Sequence, residues 1–291
     1  MSRQAGPRGP GALRRRLLTG EARRGRGRGR ARPKFDRLSF NRLLPNLLTL
    51  IGLCSGLTAL RFAIEGRFGP AAVAVVVAGA IDGLDGRLAR LLNATTRFGA
   101  EFDSLSDFLC FGVAPAFMLY LWSLQGMRGF GFVPCLLFAV CMALRLARFN
   151  AMLESSAQKP AYAQSFFSGV PAPAGAGLVL FPIFLGLEAR AMDWAWLERI
   201  AQSWTVCTLV LVGTAILSVS TLPVWSFKKQ KLPPGAALPL LLSTGVFAAV
   251  LVADPWSALA AAGLIYVAML PFSLRHYQRL RAAAEAEPPA G

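Results

Sequence analysis

Four aspartates stand within apolar sequence in the first half of the chain. They are Asp82, Asp85, Asp103 and Asp107, in a segment with the spacing D-x2-D-G-x2-A-R-x8-G-x3-D-x3-D. Because one carboxylate costs on the order of 2.5–3.5 kcal/mol at the centre of a membrane-inserted helix, four of them require something that cancels their charge. Carboxylate oxygens suit Mg²⁺, Mn²⁺ or Ca²⁺, whereas zinc prefers Cys and His. The pattern therefore predicts a site for a pair of divalent cations.

The spacing also predicts where the four carboxylates lie. Asp82 and Asp85 share one face of a helix, and Asp103 and Asp107 share a face of the next. A polar break at residues 93–97 suits a short helix–helix connection. Folding the chain back at this break places Asp82 level with Asp107 and Asp85 level with Asp103, roughly two to three turns from the connection. We therefore predict a helical hairpin whose carboxylates converge at one depth.

A water-facing amphipathic hairpin is the simpler interpretation of the same aspartates. The flanking runs 71–81 and 108–122 are almost wholly apolar, and Arg87 and Arg90 are the nearby cations on the first helix. These surroundings favour burial of the carboxylates around bound cations over exposure to water.

The composition is that of a polytopic membrane protein. Mean hydropathy is +0.49, and 55% of the residues are hydrophobic while 16% are charged. We predict an all-α transmembrane helix bundle with eight spans, of which the fifth and seventh are short and contain Pro or Gly, so that six or seven spans stay open. The apolar runs are 44–62, 70–92, 99–122, 130–150, 173–190, 204–225, 236–253 and 256–273.

Lysine and arginine in the connecting segments predict the orientation of these spans. The bias towards one side places the N-terminus, the C-terminus and the aspartate end of the hairpin in the cytoplasm. The predicted organisation has five parts. They are a disordered basic cytoplasmic tail (1–34), an interfacial amphipathic segment (35–44), a catalytic membrane core (45–200), additional C-terminal transmembrane helices (201–275) and a cytoplasmic tail (276–291).

The net charge of +16 comes mainly from the N-terminal region. Residues 1–42 hold fourteen Lys or Arg against Glu21 and Asp36. Such a tail sets membrane topology, attracts anionic lipids or contacts nucleic acid. We favour the topological role and expect membrane lipids, and no nucleic acid, as partners.

The aspartate segment resembles the signature of the CDP-alcohol phosphotransferases and matches it at every fixed position. Members of this family are membrane enzymes that move a phosphatidyl-type group from a CDP-linked donor to an alcohol. Further segments, which extend the resemblance over roughly residues 43–190, are similar to the phosphatidylserine synthase branch of the family. They are residues 45–50, 98–115, 144–150 and 167–176.

The resemblance implies a reaction and roles for the aspartates. It implies transfer of the phosphatidyl group of CDP-diacylglycerol to the hydroxyl of L-serine, which gives phosphatidylserine and CMP. Asp82, Asp85 and Asp103 are expected to bind two divalent ions, Mg²⁺ or Mn²⁺, and Asp107 is expected to be the general base, with its own contact to a metal left open. The family also suggests a homodimer in the bacterial inner membrane, with the active site facing the cytoplasm.

Three residues are candidates for binding the donor. Gly86 follows Asp85 directly, and a glycine there lets the cytidine or its ribose approach the backbone, although simple helix packing explains it too. Arg90 is a candidate for a phosphate contact. Asn46, near the start of the first span, is a weaker polar candidate.

Three residues are candidates for binding the acceptor. Arg145 and Arg148 stand at i and i+3 near the cytoplasmic end of the fourth predicted span. The planar guanidinium suits bidentate binding of the serine carboxylate, and one of the two could hold a lipid phosphate or simply flank the span. Asn150 is a further polar candidate on the same segment.

Two other functions fit parts of the pattern. The same chemistry could serve another acceptor: glycerol 3-phosphate, inositol phosphate or choline. An ion-coupled transporter would also carry intramembrane acids, but transporters usually show internal repeats, and here all four acids belong to one hairpin. A binding protein driven by the basic tail is a third class, and deletion of residues 1–34 would separate it from an enzyme.

Overall fold

The computed structural model describes residues 40–92, 94–154, 166–225 and 237–286. The predicted basic tail and the beginning of the predicted interfacial segment lie outside the described residues. The described residues form ten α-helices, with short π- and 3₁₀-helical stretches and two three-residue strands. The α-helices are α1 (Phe40–Ile64), α2 (Phe68–Leu91), α3 (Arg97–Asp107), α4 (Ala114–Leu119), α5 (Val133–Glu154), α6 (Ala172–Ala191), α7 (Ala195–Ala201), α8 (Trp204–Val219), α9 (Ala237–Ala253) and α10 (Pro255–Ala286).

Helices α1 and α2 form an antiparallel hairpin whose contact is built from small side chains. The turn between them uses Gly66 at a φ of 73°, which L side chains rarely adopt. Ala59 on α1 and Ala71, Ala72 and Ala78 on α2 are at most 2% exposed. Small residues let two helix backbones approach closely, which is how helices pack where lipid replaces water as solvent.

Helix α3 begins at a side-chain cap and continues into π-helix. The Thr96 hydroxyl accepts a hydrogen bond from the Gly99 backbone N–H (3.0 Å), which satisfies one of the free donors at the helix start. The backbone widens into π-helix at Phe108–Val113, directly after Asp107, and again at Tyr120–Leu124. π-helical turns inside α-helices occur frequently at functional sites.

The chain reverses direction within the apolar stretch Arg97–Met152. A straight helix of that length would extend about 84 Å, far more than a bilayer. The 3₁₀ segment Gln125–Phe132 interrupts this stretch, with Arg128 at a φ of 50°. Helix α5 then runs back along the part of the stretch that precedes the break. Tyr120 and Phe132 meet across this reversal in an edge-to-face contact with ring centroids 5.4 Å apart.

Helix α6 is the central helix of the bundle. Of its most apolar stretch 67% is buried inside the protein, against 33% or less for the other long spans. Beyond it, α7 and α8 meet at an angle of 48°. The strands β1 (Phe166–Ser168) and β2 (Pro223–Trp225) form a small antiparallel pair that joins the segments before α6 and after α8.

The number of membrane spans is lower than the predicted eight when helices are judged by length and apolar composition. Five helices of the described residues qualify, or six if α7 and α8 form one bent span. The stretch Arg97–Met152, which contains the third and fourth predicted spans, counts as one candidate span. The seventh predicted span corresponds to the helix Leu238–Ala253, which is apolar but shorter. The structure thus shows a helical bundle with several candidate spans, while the count of eight stays a prediction.

Two helices extend beyond the predicted membrane parts of the chain. Helix α1 begins at Phe40, inside the predicted interfacial segment 35–44. Helix α10 continues to Ala286, inside the predicted C-terminal tail 276–291. Charged residues at the end of an apolar run need not end the helix, so the predicted division into five parts stays a prediction.

Candidate active site

The hairpin of α2 and α3 brings the four aspartates together. Carboxylate oxygens of Asp82, Asp85 and Asp103 lie within 4.8 Å of one another. The side chain of Asp107 is hydrogen-bonded to Asp82, and all four residues line one small cavity of about 10 Å³. Asp85 is buried, with 4% of its surface exposed, and the other three are half-buried.

The aspartate cavity fits a divalent cation. Its volume is about that of one water-sized sphere. Its charged donors are carboxylate oxygens, which are the ligands that Mg²⁺ and Mn²⁺ prefer. Carboxylates this close repel one another unless a proton or a cation lies between them, and burial makes the repulsion stronger. The chemistry of the donor set therefore matches a metal centre at this point of the hairpin.

A threonine of α1 completes the surroundings of the most buried aspartate. The Thr49 hydroxyl donates to Asp85 Oδ2 at 2.7 Å and also lies 3.1 Å from the Pro45 carbonyl oxygen. Sequence reasoning missed Thr49, because a single threonine in an apolar helix ordinarily bonds only to its own backbone. Thr49 fixes the orientation of the carboxylate in the way that partners behind a ligand usually do.

A larger pocket adjoins the aspartates and contains all three candidate donor-binding residues. It has a volume of about 370 Å³ and shares Thr49, Asp85 and Asp103 with the aspartate cavity. Asn46, Gly86 and Arg90 line it; they come from the first two helices. The remaining lining residues are Pro45, Ala89, Ala94, Thr95, Thr96, Gly99, Ala100 and Phe149.

The two glycines of the aspartate segment have different surroundings. A Cβ built on Gly86 would meet no atom within 4 Å in the described structure, so that this glycine leaves open space at the pocket. A Cβ built on Gly99 would lie 2.7 Å from Asn46 Oδ1 and 3.0 Å from Thr96 Oγ1. Gly99 therefore permits the close approach of α3 to α1, whereas helix packing does not explain Gly86.

Arg90 bends back towards the backbone of its own helix. Its Nε donates to the Gly86 carbonyl oxygen at 2.9 Å, and the side chain is exposed. The positive charge is thus tethered beside the same glycine that leaves the pocket open.

The three candidate acceptor-binding residues lie in three different environments on α5. Asn150 Nδ2 donates to the Ser104 hydroxyl at 2.9 Å, which ties α5 to the helix of Asp103. Arg148 donates to the backbone carbonyl oxygens of Val219 (2.9 Å) and Ser220 (3.3 Å) at the end of α8. The guanidinium of Arg145, in contrast, interacts electrostatically with Asp107.

The two arginines therefore have separate tasks in the structure. Arg148 satisfies carbonyl groups that the end of α8 leaves without helical partners. Arg145 has a buried Nε that makes no hydrogen bond to any described residue. A joint role of the pair in binding an acceptor remains a prediction, and Arg145 is the better placed of the two.

Comparisons with known proteins identify relatives over most of the chain. A family model described as CDP-alcohol phosphatidyltransferase matches residues 42–215, and one described as CDP-alcohol phosphatidyltransferase 2 matches residues 236–271. A protein of Mycobacterium leprae (strain TN), named CDP-diacylglycerol–serine O-phosphatidyltransferase, is 40% identical over 257 residues, which are 88% of this chain and 82% of the relative.

Two further relatives carry the same name. The protein of Mycobacterium tuberculosis (strain ATCC 25618 / H37Rv) is 39% identical over 233 residues, covering 80% of this chain and 78% of the relative. The protein of Helicobacter pylori (strain ATCC 700392 / 26695) is 36% identical over 189 residues, covering 65% and 74%. The similarity to these three relatives thus covers between 65% and 88% of this chain.

Replacement of Thr49 by valine tests its support of Asp85. Valine keeps the shape of the side chain but removes the donor to the carboxylate, so Mn²⁺ affinity should fall about 10-fold. The Mn²⁺ affinity is measured by titrating the detergent-solubilised protein and following free Mn²⁺ by electron paramagnetic resonance. Thr58→Val on the same helix, whose hydroxyl bonds only to the Cys54 carbonyl oxygen, should bind Mn²⁺ normally. Equal affinities of the two variants would contradict the role of Thr49.

Replacement of Gly99 by alanine tests the close contact of α1 and α3. The added Cβ would displace the Asn46 amide and the Thr96 hydroxyl, which caps α3, and loss of such a cap costs about 0.5–2 kcal/mol. We expect a lower melting temperature in detergent. The control is Gly213→Ala on α8, where a Cβ meets no described atom within 4 Å, and there we expect no loss. An unchanged melting temperature for Gly99→Ala would show that the side chains of Asn46 and Thr96 move aside at no cost.

Replacement of Arg148 by methionine tests its bonds to the end of α8. Loss of both donors leaves two carbonyl groups unsatisfied, which should destabilise the fold by about 1–3 kcal/mol. Thermal unfolding in detergent measures the change. Arg87→Met, at an exposed position of α2, serves as the matched control and should melt like the parent protein. If Arg148→Met melts at the parent temperature, Arg148 has no structural task at α8.

Proposed function

Because the chain belongs to the CDP-alcohol phosphatidyltransferase family, we propose that it transfers the phosphatidyl group of CDP-diacylglycerol to L-serine. The products are phosphatidylserine and CMP. The observation that carries this proposal is the family's aspartate signature, whose four side chains line one cavity beside a 370 Å³ pocket. The relatives that match most of the chain have names that specify serine as the acceptor.

Asp82, Asp85 and Asp103 are the residues that would hold the metal, with Asp107 beside them. Divalent ions bound there, which we take to be two Mg²⁺ or Mn²⁺, supply positive charge that stabilises the donor's pyrophosphate and the departing CMP. Thr49 holds Asp85 in position from α1. The hairpin of α2 and α3 brings the other carboxylates to the same cavity.

Asp107 is the general base of the proposed reaction. It takes the proton from the serine hydroxyl while the hydroxyl oxygen forms a bond to the phosphorus of the phosphatidyl group. The bond from that phosphorus to the oxygen of the CMP phosphate breaks, and CMP leaves with the electron pair. Asp107 suits this role because it lies beside the three carboxylates that could share a metal ion and within electrostatic range of Arg145.

The 370 Å³ pocket is the proposed site of the donor's nucleotide. Gly86 leaves space for the cytidine or its ribose, and Arg90 supplies a charge for a phosphate. Asn46 lies at the contact between α1 and α3, where its amide can bond to the nucleotide. The pocket shares Asp85 and Asp103 with the aspartate cavity, which joins nucleotide binding to the metal centre.

The acceptor is proposed to bind along α5. Arg145 is assigned to the serine carboxylate, since its charge is buried near Asp107 and its Nε is not used by the described residues. Asn150 and Arg148 hold α5 against α3 and α8, and they support the acceptor site by keeping Arg145 in place.

We further propose that the protein lies in a bacterial inner membrane with eight spans and with both termini and the active site on the cytoplasmic side. The distribution of Lys and Arg in the sequence supports this orientation. The homodimer that the family suggests remains part of the proposal.

The proposed reaction is tested with purified protein in detergent–lipid micelles. We expect CMP release from CDP-diacylglycerol that depends on serine and on Mg²⁺ or Mn²⁺, and that is abolished by EDTA. Asp107→Asn removes the base while it preserves the shape, and it should lower turnover at least about 100-fold. Asp193→Asn, at an exposed turn between α6 and α7, is the matched control and should retain full activity.

Other acceptors decide between the related functions. Glycerol 3-phosphate, inositol phosphate and choline should release little CMP under the same conditions. CMP release with one of these alcohols, and none with serine, would support the proposed chemistry at the aspartates but refute serine as the acceptor. Folded protein that releases no CMP with any acceptor would refute the enzyme and favour an ion-coupled transporter.

A further inference from the structure

Two contacts determine how α5 lies against the helix that carries the general base. Asn150 bonds to Ser104 at one end of the contact. Farther along, the Met142 side chain lies against Gly112, where a built Cβ would be 3.2 Å from Met142 Cγ. The residue numbers rise on one helix as they fall on the other, so α5 is antiparallel to α3 and its π-helical extension.

This register places Arg145 at the level of Asp107. Arg145 lies five residues before Asn150 on α5. The residue at the same level on the antiparallel helix lies five residues after Ser104, at Leu109, which is about half a turn beyond Asp107. Arg145 lies within electrostatic range of Asp107, of Arg148 and of Tyr266 on α10. Tyr266 packs against the same buried pair, Val170 and Leu178, as Leu217 does. Leu217 lies two residues before Val219, whose carbonyl oxygen accepts from Arg148. The C-terminal helix therefore reaches the neighbourhood of the general base.

Arg145 and Tyr266 both hold a buried polar atom that has no hydrogen-bond partner in the described structure. These atoms are Arg145 Nε and the Tyr266 hydroxyl oxygen. A guanidinium can only donate, and a tyrosine hydroxyl within its electrostatic range can donate to a third group. A buried donor without an acceptor is unfavourable, so we expect the functional protein to have a hydrogen-bond acceptor near Arg145 Nε and the Tyr266 hydroxyl.

Two of the undescribed segments, residues 155–165 and 226–236, flank the strands β1 and β2, and they contain no aspartate or glutamate. An arginine and a tyrosine that lie within electrostatic range of each other, and whose buried donors both lack an acceptor, match a carboxylate, whose two oxygens can accept from both. The missing acceptor is thus best supplied by a bound molecule.

The pair lies apart from the proposed donor pocket. That pocket is lined by residues of the first three helices and their connection, and by Phe149 of α5; neither Arg145 nor Tyr266 lines it. The ring of Tyr266 instead lines a separate apolar cavity of about 320 Å³ between α2, α6 and α10. An anion held by Arg145 and Tyr266 would therefore be close to Asp107 without competing for the nucleotide site.

We propose that Tyr266 is a specificity-determining residue whose hydroxyl donates to the carboxylate of the serine acceptor beside Arg145. This inference rests on the proposed function and extends it to a helix outside the aspartate hairpin. It gives α10 a task in acceptor selection: an alcohol that lacks a carboxylate leaves both donors unsatisfied and is disfavoured.

Tyr266→Phe tests this assignment, because it removes one oxygen and keeps the ring in its apolar cavity. The KM for serine should rise about 10-fold, as expected when a hydrogen bond to a charged group is lost. The KM for CDP-diacylglycerol should not change. The preference for serine over serine methyl ester, which has the hydroxyl and the amine but no carboxylate, should fall by a similar factor.

Two further variants separate a direct contact from a structural effect. Tyr120→Phe, whose ring packs against Phe132 at the reversal before α5, should leave both KM values unchanged. Arg145→Lys should also raise the KM for serine. The double variant Arg145→Lys/Tyr266→Phe should raise the KM for serine by less than the product of the two single effects, because both side chains act on one carboxylate.

Three results would overturn the proposal. The first is an unchanged KM for serine in folded Tyr266→Phe, and the second is a raised KM for CDP-diacylglycerol, which would assign the pair to the lipid phosphate. The third is an independent, fully multiplicative effect of Arg145→Lys and Tyr266→Phe. Failure of the proposed function itself is distinguished from all three, because it would show in the unaltered protein as no serine-dependent release of CMP.

Discussion

The fold is arranged around the unfavourable proximity of four carboxylates inside an apolar helix bundle. Asp82, Asp85, Asp103 and Asp107 can share one cavity only if cations or protons neutralise their charge, since the surroundings screen charge poorly. This constraint explains why the cavity is small and why one aspartate is almost wholly buried. The hairpin thus forms a cluster of carboxylates whose charge a divalent metal ion would neutralise.

The elements around the hairpin hold this cluster in place from several sides. Helix α1 contributes Thr49 to Asp85, and its close approach to α3 depends on the absence of a side chain at Gly99. Helix α5 is fixed by Asn150 at one end and by the bonds of Arg148 to α8. A rigid bundle of this kind suits catalysis in which positioning and charge stabilisation supply most of the effect.

The sequence predicted those parts of the site that depend on helical periodicity. The spacing of the aspartates determines which faces they occupy, and the polar break at residues 93–97 indicates the reversal, so their convergence could be foreseen. Contacts between distant segments could not. Nothing in the pattern indicates that Thr49 meets Asp85, that Arg148 bonds to α8 or that Tyr266 lies near Arg145, because these contacts depend on tertiary packing. The number of spans could not be predicted either. The apolar stretch Arg97–Met152 is broken at Gln125–Phe132, where the chain reverses, and the apolar helix Leu238–Ala253 is short for a membrane span.

We propose that the aspartate cavity is a divalent metal site. Anomalous diffraction from crystals of the purified protein grown with Mn²⁺, collected on both sides of the manganese absorption edge, would locate the metal. We expect anomalous peaks between Asp82, Asp85, Asp103 and Asp107, at ordinary carboxylate–metal distances of about 2.0–2.3 Å. Well-ordered carboxylates with no anomalous peak at millimolar Mn²⁺, or peaks found only elsewhere on the protein, would contradict it.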